Sequence, residues 1–197
     1  MTDLVLASKS VARAAVLKGA GLTFTQVASP INEQAVKDSL VQGGANPKQV
    51  ALSLAEVKAV EASRHTDALV IGADQTLELT GHLVDKATSL EEARLRLLHM
   101  RGRDHHLHSG LALACAGEVL WSQTETASLR VRMFSDQWLD GYLARNGEAL
   151  LSSVGCYMLE GEGVQLFDAI KGDYFTILGL PLLPLLEVLR ARGVVES

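Results

Sequence analysis

Short apolar runs alternate along the chain with longer stretches whose apolar positions recur every three or four residues, a pattern of strands interleaved with helices. Leu4 to Ala7 reads as a first strand. Ser8-Lys9-Ser10 leads it into a helix over residues 11–18, with Ser10 as N-cap and Gly19 and Gly21 as stop signals. Residues 23–28 read as a second strand that ends at Ser29-Pro30. Asn32 and Glu33 are expected in a turn, followed by a helix over residues 34–41 that Gly43-Gly44 ends. Asn46-Pro47 opens a long helix to Ser63, with Asn capping and Pro at the first helical position. Val50, Leu54 and Val57 mark its inner stripe, and Lys58 stands at the edge of that stripe.

The stretch Ala68-Leu69-Val70-Ile71-Gly72-Ala73-Asp74-Gln75 is apolar without interruption and then abruptly polar. Its first half reads as a strand buried on both faces. Gly72-Ala73 lets another group come close to the backbone. Ligands of α/β proteins sit outside the carboxyl ends of strands, so Asp74 is the first candidate for chemistry, against the plainer reading of a turn residue. The strand runs on to Leu79, turns at Thr80-Gly81 and returns through Leu83-Val84 to Asp85-Lys86, which is expected to bring Lys86 to the sheet end of Asp74. Thr88 or Ser89 caps a helix to Met100, with Leu95 and Leu98 expected inside. Residues 105–116 and 118–133 read as antiparallel strands joined at Ala116-Gly117. Ser135 caps a helix to Arg145. Residues 153–160, 164–170 and 174–178 read as extended pieces, and Gly179-Leu180-Pro181-Leu182 opens a last helix that packs Leu182, Leu185, Leu186 and Leu189 inward.

Composition narrows this picture. With 48% apolar and 21% charged residues among 197, the chain suits one α/β domain over residues 1–197; no linker, repeat or low-complexity segment divides it. A net charge of −5 argues against a nucleic-acid polymer as partner, while a phosphorylated small molecule needs only a local cluster of cations. The N-terminus lacks the pattern of a signal peptide, and the apolar runs fall short of the roughly 20 residues that span a bilayer. Cys115 and Cys156 form no C-x-x-C pair, which suits reduced thiols and a cytoplasmic location better than a disulfide. His106 and His108 share a strand face and His105 points the other way; a zinc site would need a further ligand at a familiar spacing.

The start of the chain adds candidate chemistry. A strand, a hydroxyl-rich turn and a helix N-terminus present Ser8, Ser10 and free N–H groups to an anion. Arg13, in the first turn, adds a cation with a fork suited to phosphate.

Several pieces, in order, resemble the Maf family of nucleoside triphosphate pyrophosphatases, and the resemblance covers almost the whole chain. They are Leu6-Ala7-Ser8-Lys9-Ser10-Val11-Ala12-Arg13, the acidic Glu33, Lys58 within Ala55-Glu56-Val57-Lys58-Ala59, Gly72-Ala73-Asp74-Gln75 and Lys86. Gly102-Arg103 with His105, Glu160-Gly161, Ile170-Lys171-Gly172-Asp173-Tyr174 and Ile177-Leu178-Gly179-Leu180-Pro181-Leu182 complete the set. The resemblance implies an α/β fold with a mixed, strongly twisted sheet flanked by helices and two lobes around a central cleft, as in the Maf and ITPase proteins. It implies hydrolysis of a nucleoside triphosphate to the monophosphate and pyrophosphate, a divalent metal (magnesium or manganese) and a homodimer. Arg13, Lys58 and Lys86 would meet the phosphates, Ser8 and Ser10 would donate to them, and Glu33 and Asp74 would hold the metal, with Asp74 the proton acceptor. Ala12, Gln75 and Glu160 stand at the family's base-selecting positions.

Two stretches depart from the family pattern. It has Pro-Arg or Pro-Trp where this chain has Val11-Ala12, and Lys-Pro where this chain has Lys86-Ala87. Gln75 with Glu160 resembles the branch acting on 7-methyl-GTP, but alanine at position 12 offers no ring for a cation–π contact, so the base stays open. A phosphatase of the haloacid-dehalogenase type would need a second Asp two residues after Asp74, where Thr76 stands. A non-catalytic nucleotide-binding or cell-division regulatory module is the other alternative. No G-x-G-x-x-G follows a strand, which excludes a dinucleotide-binding dehydrogenase.

Overall fold

In a computed structural model, residues 3–29 and 31–196 are described. Pro30, the expected end of the second strand, lies outside them, as do Met1, Thr2 and Ser197. The elements follow as β1 (Leu4–Ala7), α1 (Val11–Gly19), β2 (Thr25–Val27), α2 (Glu33–Gln42), α3 (Pro47–Ser63), β3 (Leu69–Leu79), β4 (His82–Val84) and α4 (Leu90–Met100). Then come β5 (Asp104–Cys115), β6 (Glu118–Val131), α5 (Asp136–Asn146), β7 (Phe167–Lys171), α6 (Tyr174–Ile177) and α7 (Leu182–Ala191). The strands form one mixed α/β sheet in the order β2-β1-β3-β5-β6-β7, with β4 paired to β3. β1 runs parallel to both β2 and β3, whereas β3/β4 and β6/β7 are antiparallel.

The chain divides into two compact units, and the division falls within β3, β5 and β6. The first comprises Met1–Gln75, His108–Thr126 and Asp173–Ser197; the second comprises Thr76–Leu107 and Ala127–Gly172. In the first unit, Leu6, Leu17, Ile71, Leu111, Leu113, Leu180, Leu185 and Leu189 form the main cluster, which puts α1 and α7 on the same side of the strands. The opposite side takes α3 through an alanine-lined contact of Ala55 and Ala59 with Ala112 and Ala114. α3 approaches so closely that a Cβ at Gly72 would overlap the Ala55 carbonyl oxygen, and one at Gly110 the Ala51 carbonyl oxygen. The close approach read from Gly72-Ala73 is thus made by a helix backbone.

In the second unit α4 and α5 touch each other, and Leu77, Leu97, Met100, Leu129, Leu139 and Tyr142 are all buried. Trp138 stacks on Tyr142 with ring centroids 5.3 Å apart, and the Arg132 guanidinium lies 4.4 Å over the Trp138 ring.

Local signals acted as expected at most helix starts. The side chains of Ser10, Asn46, Ser89 and Ser135 each accept a bond from the N–H three residues on, and Asn46 with Gln49 forms a reciprocal capping box. Five expectations fail. Asn32 is itself an N-cap, so Glu33 opens α2 instead of lying in a turn. On α4 the inner face is Ala93, Leu97 and Met100, and Leu95 is 60% exposed, because a 3.6-residue period set by those three turns position 95 outward. Residues 153–160 hold turns and no strand, and 164–170 split into a 3-10 helix (Glu162–Leu166) and the start of β7. Residues Tyr174–Ile177 are helical, because the Asp173 side chain accepts from Thr176 N–H and starts a turn of helix.

Candidate active site

Asp74 is set by β3 and Lys58 by α3. The glycine and alanine contacts that draw α3 onto the strands bring these two side chains together. Lys58 Nζ lies 2.5 Å from Asp74 Oδ1 and 2.9 Å from Glu33 Oε2, so one ammonium bridges two carboxylates. Lys58 is 3% exposed and Asp74 9%, whereas the Glu33 side chain is 55% exposed at the first turn of α2. Desolvating an ammonium is expensive unless it is paired, and two carboxylates meet that cost here. From the edge of the α3 stripe, Lys58 thus turns its head group inward to carboxylates.

Arg13 reaches the same region from α1. Its Nε donates to Gly179 O at 2.8 Å, and its Nη1 donates to Ala73 O at 3.0 Å and to Ser8 Oγ at 3.1 Å. These bonds tie β1's turn, the strand end and the segment after α6 to one guanidinium. They also correct the expected fork, because Nε and Nη1 are committed to protein acceptors and only Nη2 is left to meet an anion. Burial pushes the Arg13 guanidinium down from its ordinary value, with Asp74 and then Glu33 acting in the opposite direction. Lys37, on α2 one turn after Glu33, behaves alike: burial lowers it, and Asp74 and Asp38 oppose.

Ser8 is buried, and its Oγ accepts from Ser10 N–H at 3.2 Å. Ser10 caps α1, with its Oγ accepting from Arg13 N–H at 3.3 Å. Gln26 Nε2 donates to Ser8 O at 2.7 Å, pinning the same turn from β2. Ala12 is partly exposed on the first turn of α1, beside Val11 at 83% exposure. Gln75 Nε2 donates to Ser109 Oγ, Thr176 O and Ile177 O at 2.9–3.1 Å. Ser109 Oγ also donates to Thr176 O. The Gln75 amide nitrogen is therefore spent on the protein, which leaves the Oε1 acceptor as the means by which Gln75 could read a ligand.

The first unit thus holds Ser8, Ser10, Ala12, Arg13, Glu33, Lys58, Asp74 and Gln75. Lys86 and Glu160 belong to the second unit, where both are exposed, Lys86 just after β4 and Glu160 in the turns before the 3-10 helix. Gln26, Lys37, Ser109, Thr176 and Gly179 join the first-unit network without having been singled out as site residues. Gly179 carried a signal: its φ of 86° marks it as the left-handed turn after α6, a conformation that suits glycine.

The donors fit a hard divalent cation. Two carboxylates already share one cationic group, and magnesium takes one or two protein carboxylates together with substrate oxygens and water. Among the described residues, no group of three or more His, Cys, Asp or Glu side chains is placed to hold a metal. The three strand histidines have other partners: His105 Nε2 bonds Tyr157 Oη at 2.7 Å, His106 Nδ1 bonds Ser128 Oγ, and His108 Nδ1 bonds Thr126 Oγ1. Both cysteines are free thiols. Among the described residues, no helix is long and apolar enough to cross a membrane.

The chain is 55% identical over 193 residues to a nucleoside triphosphate pyrophosphatase of Caulobacter vibrioides, covering 98% of this chain and 97% of that protein. It is 49% identical over 198 residues to a protein of the same name from Maricaulis maris, covering the whole of both. A 7-methyl-GTP pyrophosphatase of Rhizobium meliloti is 48% identical over 195 residues, 98% of each chain. The family model described as Maf-like protein matches residues 3–192. A match over that span, with relatives near half identity along their full length, establishes that this chain belongs to the Maf-like protein family.

Proposed function

We propose that the protein hydrolyses a nucleoside triphosphate to the monophosphate and pyrophosphate, as a housekeeping nucleotide hydrolase of the cytoplasm acting as a homodimer. The observation that carries the reading is the buried Lys58 ammonium between Asp74 and Glu33, beside Arg13 and the N-terminus of α1. Cations, N–H donors and a pair of carboxylates are what attack on a polyphosphate requires.

Glu33 and Asp74 would hold a divalent cation, magnesium or manganese, which when bound offsets charge on the phosphates and lowers the pKa of water. Asp74 orients the attacking water and takes its proton. The water oxygen bonds to the α-phosphorus, the bond from that phosphorus to the α–β bridging oxygen breaks, and pyrophosphate leaves with the electron pair. Lys58 and Arg13 Nη2 offset charge on the phosphates, and the N–H groups at Ser10 and the first turn of α1 donate to their oxygens. Lys86, matched by the family motif, is assigned to the departing pyrophosphate. Gln75 through Oε1 and Glu160 through its carboxylate offer acceptors to a base. Acceptors suit the N–H edge of guanine and the added positive charge of a 7-methylguanine, while Ala12 contributes no ring.

The test is a panel of ordinary and modified triphosphates with magnesium or manganese, read for product. Pyrophosphate and a monophosphate in equal amounts from at least one member is the expected outcome. Orthophosphate as first product would instead indicate a phosphatase, and no turnover of any member would favour a nucleotide-binding module. Light scattering of the purified protein tests the dimer.

A further inference from the structure

We propose that Lys58 and the divalent cation compete for the same two carboxylates, so that metal joins the site together with the triphosphate and not ahead of it. This rests on the pyrophosphatase reading above and concerns the order in which its parts assemble.

The geometry sets the two occupants in competition at the same oxygens. Lys58 Nζ sits 2.5 Å from Asp74 Oδ1 and 2.9 Å from Glu33 Oε2. A magnesium ion bound to those oxygens would lie about 2.1 Å from each. Both positive groups would then crowd one small space between the same oxygens. Lys58 cannot evade this cheaply. Its stem belongs to a helix face packed on β3 and β5, and the residue is 3% exposed, so leaving the carboxylates without a new anion would strand a buried charge.

Charge around the pair points the same way. Arg13 and Lys37 both lie in the field of Asp74. Three cationic side chains therefore act on the place where Asp74 and Glu33 offer two negative charges. With Asp38 beside Lys37 the positive and negative charges balance, so a bare divalent cation finds carboxylates that are already neutralised. The same cation carried by a triphosphate brings phosphates, whose negative charge gives Lys58 a new partner. In this arrangement Lys58 serves twice: it neutralises the carboxylates when no phosphate is bound, and it passes to the phosphate as metal takes the carboxylates.

The experiment measures Mn2+ binding to the nucleotide-free protein from the paramagnetic resonance signal of the free ion. Wild type is expected to bind Mn2+ weakly, and Lys58→Met at least about 10-fold more tightly, although the variant loses turnover. Lys58→Gln keeps an N–H donor for Asp74 and covers the case in which the methionine variant does not fold, with folding checked by circular dichroism. Lys58→Arg retains the cation and should bind Mn2+ as weakly as wild type. Unchanged or weaker Mn2+ binding in a folded neutral variant would overturn the proposal, as would equal tightening by Lys58→Arg. Product is not read in this experiment, so a failure of the pyrophosphatase reading shows separately, as no pyrophosphate from any triphosphate.

Discussion

At Asp74 the residue scale is decided by what its two neighbours do to it. Lys58 holds Oδ1, and Arg13 holds the carbonyl of the preceding residue, Ala73. The carboxylate is thus fixed in direction, which a proton acceptor in hydrolysis requires. Asp74→Asn keeps an oxygen for Lys58 and removes the basicity. Turnover is expected to fall by about 100-fold or more, with the circular dichroism spectrum unchanged; wild-type rates in that variant would remove Asp74 from the chemistry. Arg13 carries the opposite lesson. Its position in the first turn of α1 suggested a phosphate fork, yet most of its N–H groups hold Ser8, Ala73 and Gly179 in place. Arg13→Lys should therefore lower thermal stability as well as turnover, since an ammonium cannot make that spread of bonds.

Among the elements, the contact of α3 with β3 and β5 governs the site. Gly72 and Gly110 let the α3 backbone descend onto the strands, and that descent carries Lys58 to Asp74. Gly72→Ala forces a Cβ into the Ala55 carbonyl and the Ala59 backbone, which cannot swing away as a flexible side chain would. Such overpacking should cost about 3 kcal/mol or more in urea unfolding, and turnover should fall with it as α3 shifts. Gly19→Ala is the matching control. Among the described residues nothing lies within 4 Å of its added Cβ, so stability should hold or rise by up to about 1 kcal/mol. Equal losses in both variants would mean that glycine flexibility, and not close packing, is what Gly72 supplies.

For the whole molecule, acid sensitivity is built into the second unit. His105 is fully buried on β5 among Tyr157 and Phe167, and among the described residues its Nδ1 has no hydrogen-bond partner. Burial first, and the neighbouring His106 next, lower its pKa to about 4, while Asp104 acts in the opposite direction. The folded value lies below the ordinary value of 6.5, so the unfolded chain takes up the proton first as pH falls. The contribution of neutral His105 is full above pH 6.5 and drains away between there and about pH 4, worth on the order of 3 kcal/mol. Unfolding free energies measured across that window should decline more steeply for wild type than for His105→Phe. Parallel slopes would place the acid sensitivity elsewhere.

Sequence alone determined the elements whose rules are local. Caps at Ser10, Asn46, Ser89 and Ser135, the turns at Thr80-Gly81 and Ala116-Gly117, and the apolar run into Asp74 each depend on neighbours a few residues away. The ordered motifs also carried the family and most of the candidate residues. Local reading failed at residues 153–178, where short apolar segments fit a strand, a 3-10 turn or a single helical turn equally well and long-range packing chooses. Only the tertiary structure decided which partners the functional groups keep. Lys58 and Asp74 are 16 residues apart and Arg13 and Gly179 are 166 apart, and those distances close through glycine and alanine surfaces that no periodicity reveals. Hence a residue type could announce a cation for phosphate, but only the fold showed that Arg13 is largely spent on the protein and that Lys58 rests between the two carboxylates a metal would need.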